Sequence, residues 1–448
     1  MTLQFGTDGV RGHALTELTP EFATELGRAA AQVLGGGAWI VGWDPRESSQ
    51  QLATAVADGL AGAGAEVCLA GVLPTPAVAA AGARDGVPTA MITASHNPWH
   101  DNGVKFFAAG GHKLTDATEQ AIESHLPPPP PAAPTSFMSP HERTVRSCGD
   151  MNEAGVLETY VAELTRSFPA GCLSGLTVVL DCANGAMSEA APQVTAALGA
   201  TVYVINASPD GRNINDHCGA TDTGPLARAV VDHGADVGLA FDGDGDRVIA
   251  IDHLGNRVDG DRLIALAALQ LQEHGELTDD TVVVTVMSNL GFHRAMAAAG
   301  ISVVTTAVGD RYVLEALHAG GYSIGGEQSG HIIYPAHATT GDGLLAGLHL
   351  AQFVAEHHRP LAEVAAEVMT SYPQVLVNVR VARRHPDIAS ELAAEITAAE
   401  RALGGEGRVL LRPSGTEPLI RVMVEAATDD LATQVCDDLA DIVRRRFA

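Results

Sequence analysis

One pattern occurs three times in this chain: a short apolar run, a polar turn, a stretch with helical spacing, and a second apolar run. The first copy has a strand at Ala38 to Gly42, the turn Asp44-Pro-Arg46, a helix from Ser49 to Gly62 and a strand at Glu66 to Gly71. The second runs from a strand at Leu176 to Leu180, through Asp181-Cys-Ala-Asn-Gly185 and a helix from Ser188 to Leu198, to a strand at Thr201 to Ile205. The third takes a strand at Thr281 to Val286, Ser288-Asn-Leu-Gly291, a helix from Phe292 to Ala299 and a strand at Ser302 to Thr306. A strand that returns through a helix pairs in parallel with its successor, because a tight hairpin can join only antiparallel neighbours. Three copies therefore predict three similar α/β domains. Their sheets should be mostly parallel, with helices on the faces and functional loops at the strand C-termini.

A further helix is predicted from Pro20 to Leu34, stopped by Gly35 to Gly37. Beyond Tyr372-Pro373 the order changes to a strand (Val375 to Val381), a helix (Asp387 to Leu403), two strands (Arg408 to Arg412, Leu419 to Glu425) and a helix (Leu431 to Arg445). That is a smaller α+β domain. A single core stops growing near ~250–300 residues, so the 448 residues are expected to divide as 1–150, 151–252, 253–371 and 372–448. The prolines Pro127 to Pro131 and Pro134 predict an exposed connection.

Lys and Arg number 27 against 54 Asp and Glu, a formal charge of −27. That argues against nucleic-acid and anionic-membrane partners but leaves room for a small anion in a locally positive pocket. No apolar stretch approaches the ~20 residues of a membrane span, and the opening residues do not read as a signal peptide. The six scattered cysteines form no C-x-x-C pair, which predicts reduced thiols in a cytoplasmic protein.

Four loops carry reactive groups. Ser95 ends an apolar run, and Asn97-Pro98 and Asn102-Gly103 turn the chain just after it. It is expected on a tight, partly exposed loop where a hydroxyl can react. Asp242-Gly-Asp-Gly-Asp-Arg247 follows the apolar strand Val237 to Phe241. Its three carboxylates alternate with glycines that let the backbone curl around one hard cation, Mg²⁺ or Ca²⁺. An EF-hand needs a glutamate at position twelve, which here is His253. Gly325-Gly-Glu-Gln-Ser-Gly-His331 places Glu327 and Ser329 on one side, with His331 as a candidate acid or base. Arg412-Pro-Ser-Gly-Thr-Glu-Pro418 joins a guanidinium, two hydroxyls and flexible N–H groups, with Arg421 on the next strand. Such a set suits a phosphate, and it lacks the Lys-Ser/Thr ending of a nucleotide P-loop.

In this order, Thr93-Ala-Ser95-His-Asn-Pro98, Asp242 to Arg247, Gly326 to His331 and Arg412 to Pro418 resemble the four signature loops of the α-D-phosphohexomutase superfamily. The resemblance spans essentially the whole chain. Phe5 to Gly12, Asp101 to Phe107, Asn213 to Thr221, Val308 to Val313 and Gln328 resemble its bacterial glucosamine-phosphate branch most. It implies three similar mixed-sheet α/β domains and a smaller C-terminal α+β domain around a central cleft. It also implies a phosphoryl group carried on Ser95, and Mg²⁺ held by Asp242, Asp244, Asp246 and an oxygen of the phosphorylated Ser95. By matching position, Arg247 supports the transferring phosphoryl, and Arg11, His96, Lys105 and His331 balance charge or move protons. Glu327 and Ser329 bind sugar hydroxyls. Asp310, Arg311 and Gln328 lie nearest the 2-position. Arg412, Ser414, Gly415, Thr416 and Arg421 grip the other phosphate. The implied partner is a small phosphorylated hexosamine, with the enzyme a monomer or homodimer. Alternative readings are a mannose- or glucose-phosphate mutase of the same superfamily, a magnesium phosphatase using Asp242 as nucleophile, and a non-catalytic phosphosugar-binding protein. Thr93, where the family often has serine, and Trp99-His100 are the visible departures.

Overall fold

The structure is a computed structural model, and it describes residues 3–6, 8–127, 145–147, 155–414 and 418–448. Pro128 to Pro131, Pro134 and the loop residues Gly415 and Thr416 lie outside the described residues. The chain divides into two compact units, Met1–Val286 with Ser302–Ala365, and Met287–Ile301 with Ala366–Ala448.

The first unit holds three sheets. In the N-terminal sheet, Ala38–Trp43 lies between Glu66–Val72 and Thr89–Ile92, parallel to both, as the first repeat predicts. Thr89–Ile92 then pairs antiparallel with Asp101–Ala108, which pairs antiparallel with Gly9–His13. This turnover carries the chain from Ile92 through Ser95 and back along Asp101–Ala108, so the reactive loop is braced by a strand on each side. Trp39, Val41, Ile92 and Val104 pack with Leu52, Val56 and Leu60 of the helix Ser49–Gly62 into one apolar cluster. The expectation of mostly parallel sheets is thus only half met in this sheet.

The second sheet is likewise mixed. Thr201–Ile205, Thr177–Asp181 and Val237–Phe241 run parallel, and Val248–Asp252 and Arg257–Val258 return antiparallel. The reversal follows from Asp242 to Arg247 acting as a hairpin turn: Phe241 pairs directly with Val248. The third sheet places Ser302–Thr306, Thr281–Thr285 and Gly325–Gly326 in parallel and closes with the antiparallel strand Ile332–Ile333. Glu327 to His331 is again the connecting turn. Two of the loops singled out in the sequence are therefore tight returns between adjacent strands.

The second unit is a three-stranded antiparallel sheet, Gln374–Arg380, Leu419–Glu425 and Arg408–Pro413, backed by the helix Asp429–Phe447. The expected helix from Asp387 to Leu403 is two pieces, Ile388–Glu391 and Ala393–Ala402, broken at the buried, non-helical Leu392. The helix Leu290–Ala298 falls in this unit, although its flanking strands belong to the first. Its start is tied there by Glu425, whose carboxylate accepts from Leu290 N at 2.9 Å and pairs with Arg408 at 3.0 Å. Cys68 is disulfide-bonded, against the expectation of reduced thiols, while Cys172, Cys182, Cys218 and Cys436 are free.

Candidate active site

Ser95 is fully buried, not partly exposed as its turn-rich setting suggested. Its backbone is left-handed, with φ 52°. That region is unfavourable for residues other than glycine and persists only where the surroundings enforce it. Ser95 N donates to Thr93 Oγ1 at 2.8 Å, a role for which a serine or threonine hydroxyl serves equally. The Ser95 hydroxyl donates to Asp242 Oδ2 at 2.6 Å, and His96 Nδ1 lies 3.4 Å from Ser95 Oγ. The metal-loop backbone comes just as close. A Cβ on Gly243 would lie 2.7 Å from the Ser95 carbonyl oxygen, so only glycine fits there.

Asp242, Asp244 and Asp246 are buried, and one carboxylate oxygen from each lies within 4.8 Å of the others. Their remaining oxygens are held by the protein. Asp242 Oδ1 accepts from Arg247 N at 3.2 Å. Asp244 Oδ2 accepts from Thr75 Oγ1 at 2.7 Å and from Lys105 Nζ at 3.0 Å. Asp246 Oδ2 accepts from Lys105 Nζ at 3.3 Å. Asp244 Oδ1 and Asp246 Oδ1 are buried without a hydrogen-bond partner. Unpartnered buried carboxylate oxygens are costly, and a cation satisfies them. The donor set, all hard oxygen, fits a divalent metal ion.

A ring of alternating charge continues from this loop. Lys105 Nζ reaches Asp8 at 2.9 Å, and Asp8 pairs with Arg11 and with Lys113, the latter at 3.1 Å. Lys113 pairs with Asp310. Asp310 lies 3.4 Å from His331 Nε2, and His331 Nδ1 lies 3.7 Å from Asp246. The ring sets the protonation states. Burial and the neighbouring Asp246 and Asp244 push Asp242 well above the usual carboxylate range. Burial also works against ionised Asp246, but Lys105, His331 and Arg247 hold it well below that range. Lys105 is likewise opposed by burial, yet Asp244, Asp8 and Asp246 raise it, so it stays charged. Burial, then Arg247 and Arg11, push His96 down to about 4, leaving it neutral at pH 7. Burial lowers His331, but Asp246 and Asp310 outweigh it and raise the imidazole.

The other predicted residues fall into place unevenly. Glu327 accepts from Gly309 N at 3.1 Å and from Ser329 Oγ at 3.3 Å, so the two side chains meet. Arg311 pairs with Asp116 and with Glu119 at 2.7 Å, so its charge is already balanced by protein carboxylates. In the second unit, Arg412 and Arg421 are directly opposite each other on paired strands, and Arg421 Nε is buried without a hydrogen-bond partner. Ser414 is buried at the end of the same loop. Sequence reading did not single out Asp8, Lys113 or Thr75. Asp8 stands three residues before Arg11 in the glycine-rich run Phe5 to Gly12, which was a usable signal; Lys113 had none.

The molecule also contains a groove of about 830 Å³ lined by His112, Leu317, His318, Tyr322, Tyr334 and His337. It shares no residue with Ser95 or the aspartate loop, and the chemistry lies with the latter.

Comparison with known proteins identifies the family. The phosphoglucomutase/phosphomannomutase family matches in four consecutive pieces. Alpha/beta/alpha domains I, II and III match residues 2–128, 158–255 and 259–372, and the C-terminal domain matches 376–442. A phosphoglucosamine mutase of Rhodococcus opacus is 53% identical over 448 residues, covering 98% of both chains. One of Kineococcus radiotolerans is 52% identical over 461 residues, covering all of both. Among solved structures, a putative phosphomannomutase of Thermus thermophilus superposes with a TM-score of 0.78 at 25% identity, covering 99% of each chain. The N-acetylphosphoglucosamine mutase of Aspergillus fumigatus, solved with GlcNAc-6P and magnesium, shares the fold at a TM-score of 0.67 and 19% identity, covering 99% of this chain and 96% of its own. The chain belongs to the phosphoglucomutase/phosphomannomutase family, among its phosphoglucosamine mutases.

Proposed function

We propose that the chain interconverts glucosamine 6-phosphate and glucosamine 1-phosphate through a phosphoryl group carried on Ser95. The observation that carries this reading is the meeting of the Ser95 hydroxyl with Asp242 at 2.6 Å, beside two carboxylates that each keep one buried oxygen without a hydrogen bond. A hydrolase serine would want a histidine base oriented by a carboxylate and a donor pair for an oxyanion. Here the serine faces an acidic loop, which suits a group that arrives already bearing phosphate.

Asp242, Asp244, Asp246 and a phosphoserine oxygen would hold Mg²⁺, whose charge offsets that of the phosphoryl group as the serine oxygen leaves. The protein's own groups do the rest. Lys105 and Thr75 hold Asp244 Oδ2, and Lys105 also holds Asp246 Oδ2, which orients both carboxylates within the cluster. Phosphoserine brings about −1.5 to −2 charge, and Arg11, Lys105 and Arg247 supply positive charge around it. In the first transfer, a sugar hydroxyl forms the new O–P bond as the bond from Ser95 Oγ to phosphorus breaks. Neutral His96, its Nδ1 3.4 Å from Ser95 Oγ, is placed to take the hydroxyl proton and pass it to the departing serine oxygen. The bisphosphorylated sugar turns over, and its other phosphate returns to Ser95 as His96 takes the Ser95 proton and gives it to the departing sugar oxygen. Burial of Ser95 keeps water from competing for the phosphoryl group. Glu327 and Ser329 hold sugar hydroxyls, and Arg412, Ser414, Gly415, Thr416 and Arg421 hold the non-transferring phosphate. Asp310 and Arg311 are fixed in ion pairs and shape the sugar-facing loop from behind.

The test is a coupled assay with Mg²⁺ on glucosamine, glucose and mannose phosphates, run on the wild type and Ser95→Ala. The amino sugar should turn over fastest, and Ser95→Ala should fall to background. Wild-type turnover by Ser95→Ala would refute the carrier role; poorest turnover of the amino sugar would refute the substrate.

A further inference from the structure

Arg46 is 3% exposed and is remote in sequence from every loop singled out by chemistry. Its guanidinium nonetheless reaches the reactive loop. Nη2 donates to the carbonyls of Ser95 and Asn97, both at 2.9 Å, and Nη1 donates to Asp101 O at 3.1 Å and to Pro98 O. Nε is taken by Asp44 Oδ2 at 2.8 Å. Asp44 is anchored in turn, because its Oδ1 accepts from Ser49 Oγ at 2.6 Å and from Arg46 N at 3.1 Å. Asn102 ties that anchor to the outgoing strand, donating to Ser48 Oγ and Ser49 Oγ at 2.9 Å. A second donor comes from the other side: Asn215 Nδ2 donates to Ser95 O at 2.9 Å and to Asn97 O at 3.2 Å.

Four carbonyls of one short loop thus converge on one buried cation. Backbone carbonyls are obligatory acceptors, and a loop that turns four of them inward needs a donor of fixed geometry. A guanidinium provides this with its rigid fork of five N–H groups; an ammonium offers three on a flexible stem. Ser95 thus presents its carbonyl to Arg46 while its own backbone sits in the left-handed region.

We propose that Arg46, anchored by Asp44 and assisted by Asn215, is a positioning residue for phosphoryl transfer: it fixes Ser95 in its left-handed conformation with the hydroxyl against Asp242. It does not touch the substrate. The proposal rests on Ser95 being the carrier, so Ser95→Ala is included to separate failure of that reading from failure of this one.

The experiment follows Arg46→Lys, Asn215→Ala and Ser95→Ala in the full chain. Each is checked for folding by circular dichroism, assayed for kcat and KM on glucosamine 6-phosphate, and charged with radiolabelled glucose 1,6-bisphosphate. A displacement of about 1 Å at a reacting atom can cost about a hundredfold in rate, so Arg46→Lys should lose about that much kcat. Its KM should stay within about twofold, because the substrate contacts are untouched. Asn215→Ala should lose about tenfold in kcat by the same route, since one of two donors remains. Both should lose more label to water per turnover than the wild type. A purely structural role would lower the folded fraction and leave kcat per folded molecule and label retention unchanged; that result overturns the proposal, as does a change confined to KM. If Arg46→Lys does not fold, Asn215→Ala decides alone on the same criteria. Failure of Ser95→Ala to abolish labelling overturns the carrier reading instead.

Discussion

Tyr160→Phe offers a test of how the aspartate loop is braced from behind. The Tyr160 hydroxyl donates to both oxygens of Asp342, at 3.0 and 2.9 Å, and all these groups are buried. Asp342 caps the helix Gly343–His357, accepting from Leu345 N at 2.9 Å. That helix begins against the metal loop, where Gly343 N donates to Gly245 O at 3.0 Å. A Cβ at Gly343 would lie 2.3 Å from Arg247 O, so the helix can come this close only because it starts with glycine. Burial pushes Asp342 up to about 6 from an ordinary 3.8, with the Tyr160 and backbone hydrogen bonds pulling the other way. The gap is worth about 3 kcal/mol. Its sign is unfavourable to the folded state above pH 6, where Asp342 is ionised in both states, and the penalty is relieved as pH falls toward 4 and the buried carboxyl takes up a proton. Removing the phenol deletes a hydrogen bond to a charged group, worth about 1.5–3 kcal/mol, and raises Asp342 further. Tyr160→Phe should therefore be destabilised by about 2 kcal/mol at pH 8 and by about 1 kcal/mol or less at pH 5, where the protonated carboxyl no longer needs that donor. Urea unfolding of wild type and variant at both pH values measures this difference, with other titrating groups cancelling between them. A destabilisation that is the same at both pH values, or larger at pH 5, refutes the reasoning.

Three further outcomes are expected. Asp244→Asn removes one inner oxygen of the aspartate cluster and should weaken Mg²⁺ binding, read by isothermal titration, by at least about tenfold to a hundredfold; unchanged affinity would place the metal elsewhere. His96 should remain neutral down to about pH 5, because burial, Arg247 and Arg11 push its pKa to about 4. An NMR titration of labelled histidine that found it near the ordinary 6.5 would contradict the charge arrangement described. In the second unit, Arg408→Met strips the counter-charge from fully buried Glu425 and should cost about 3 kcal/mol in unfolding experiments. Adding Glu425→Gln should recover much of that loss, and no recovery would mean that the pair is not the source.

The sequence by itself determined the elements and the chemistry of the loops. The helices at Pro20–Leu34 and Ser49–Gly62 and the strands at Thr201–Ile205, Ser302–Thr306 and Leu419–Glu425 lie where periodicity puts them. That works because apolar spacing and turn residues act over a few positions. The acidic loop was legible for the same reason: Asp242, Asp244 and Asp246 are close in sequence, so their convergence needs only a tight turn. Where the expectation failed, long-range packing had prevailed. The sheets are mixed because Phe241 pairs with Val248 across the metal loop, and the helix after Asp387 breaks where Leu392 is drawn into the core.

Only the tertiary structure decided what surrounds Ser95. Its hydroxyl partner, Asp242, is 147 residues away, and Lys105 meets Asp244 across 139. Arg46 meets the Ser95 carbonyl across 49 residues, and Asn215 meets it across 120. No local pattern encodes such pairs, because a buried charge finds its counter-charge by where the sheets carry it. The sequence named the serine. The fold buried it, turned its carbonyl onto an arginine, and set its hydroxyl against an acidic loop.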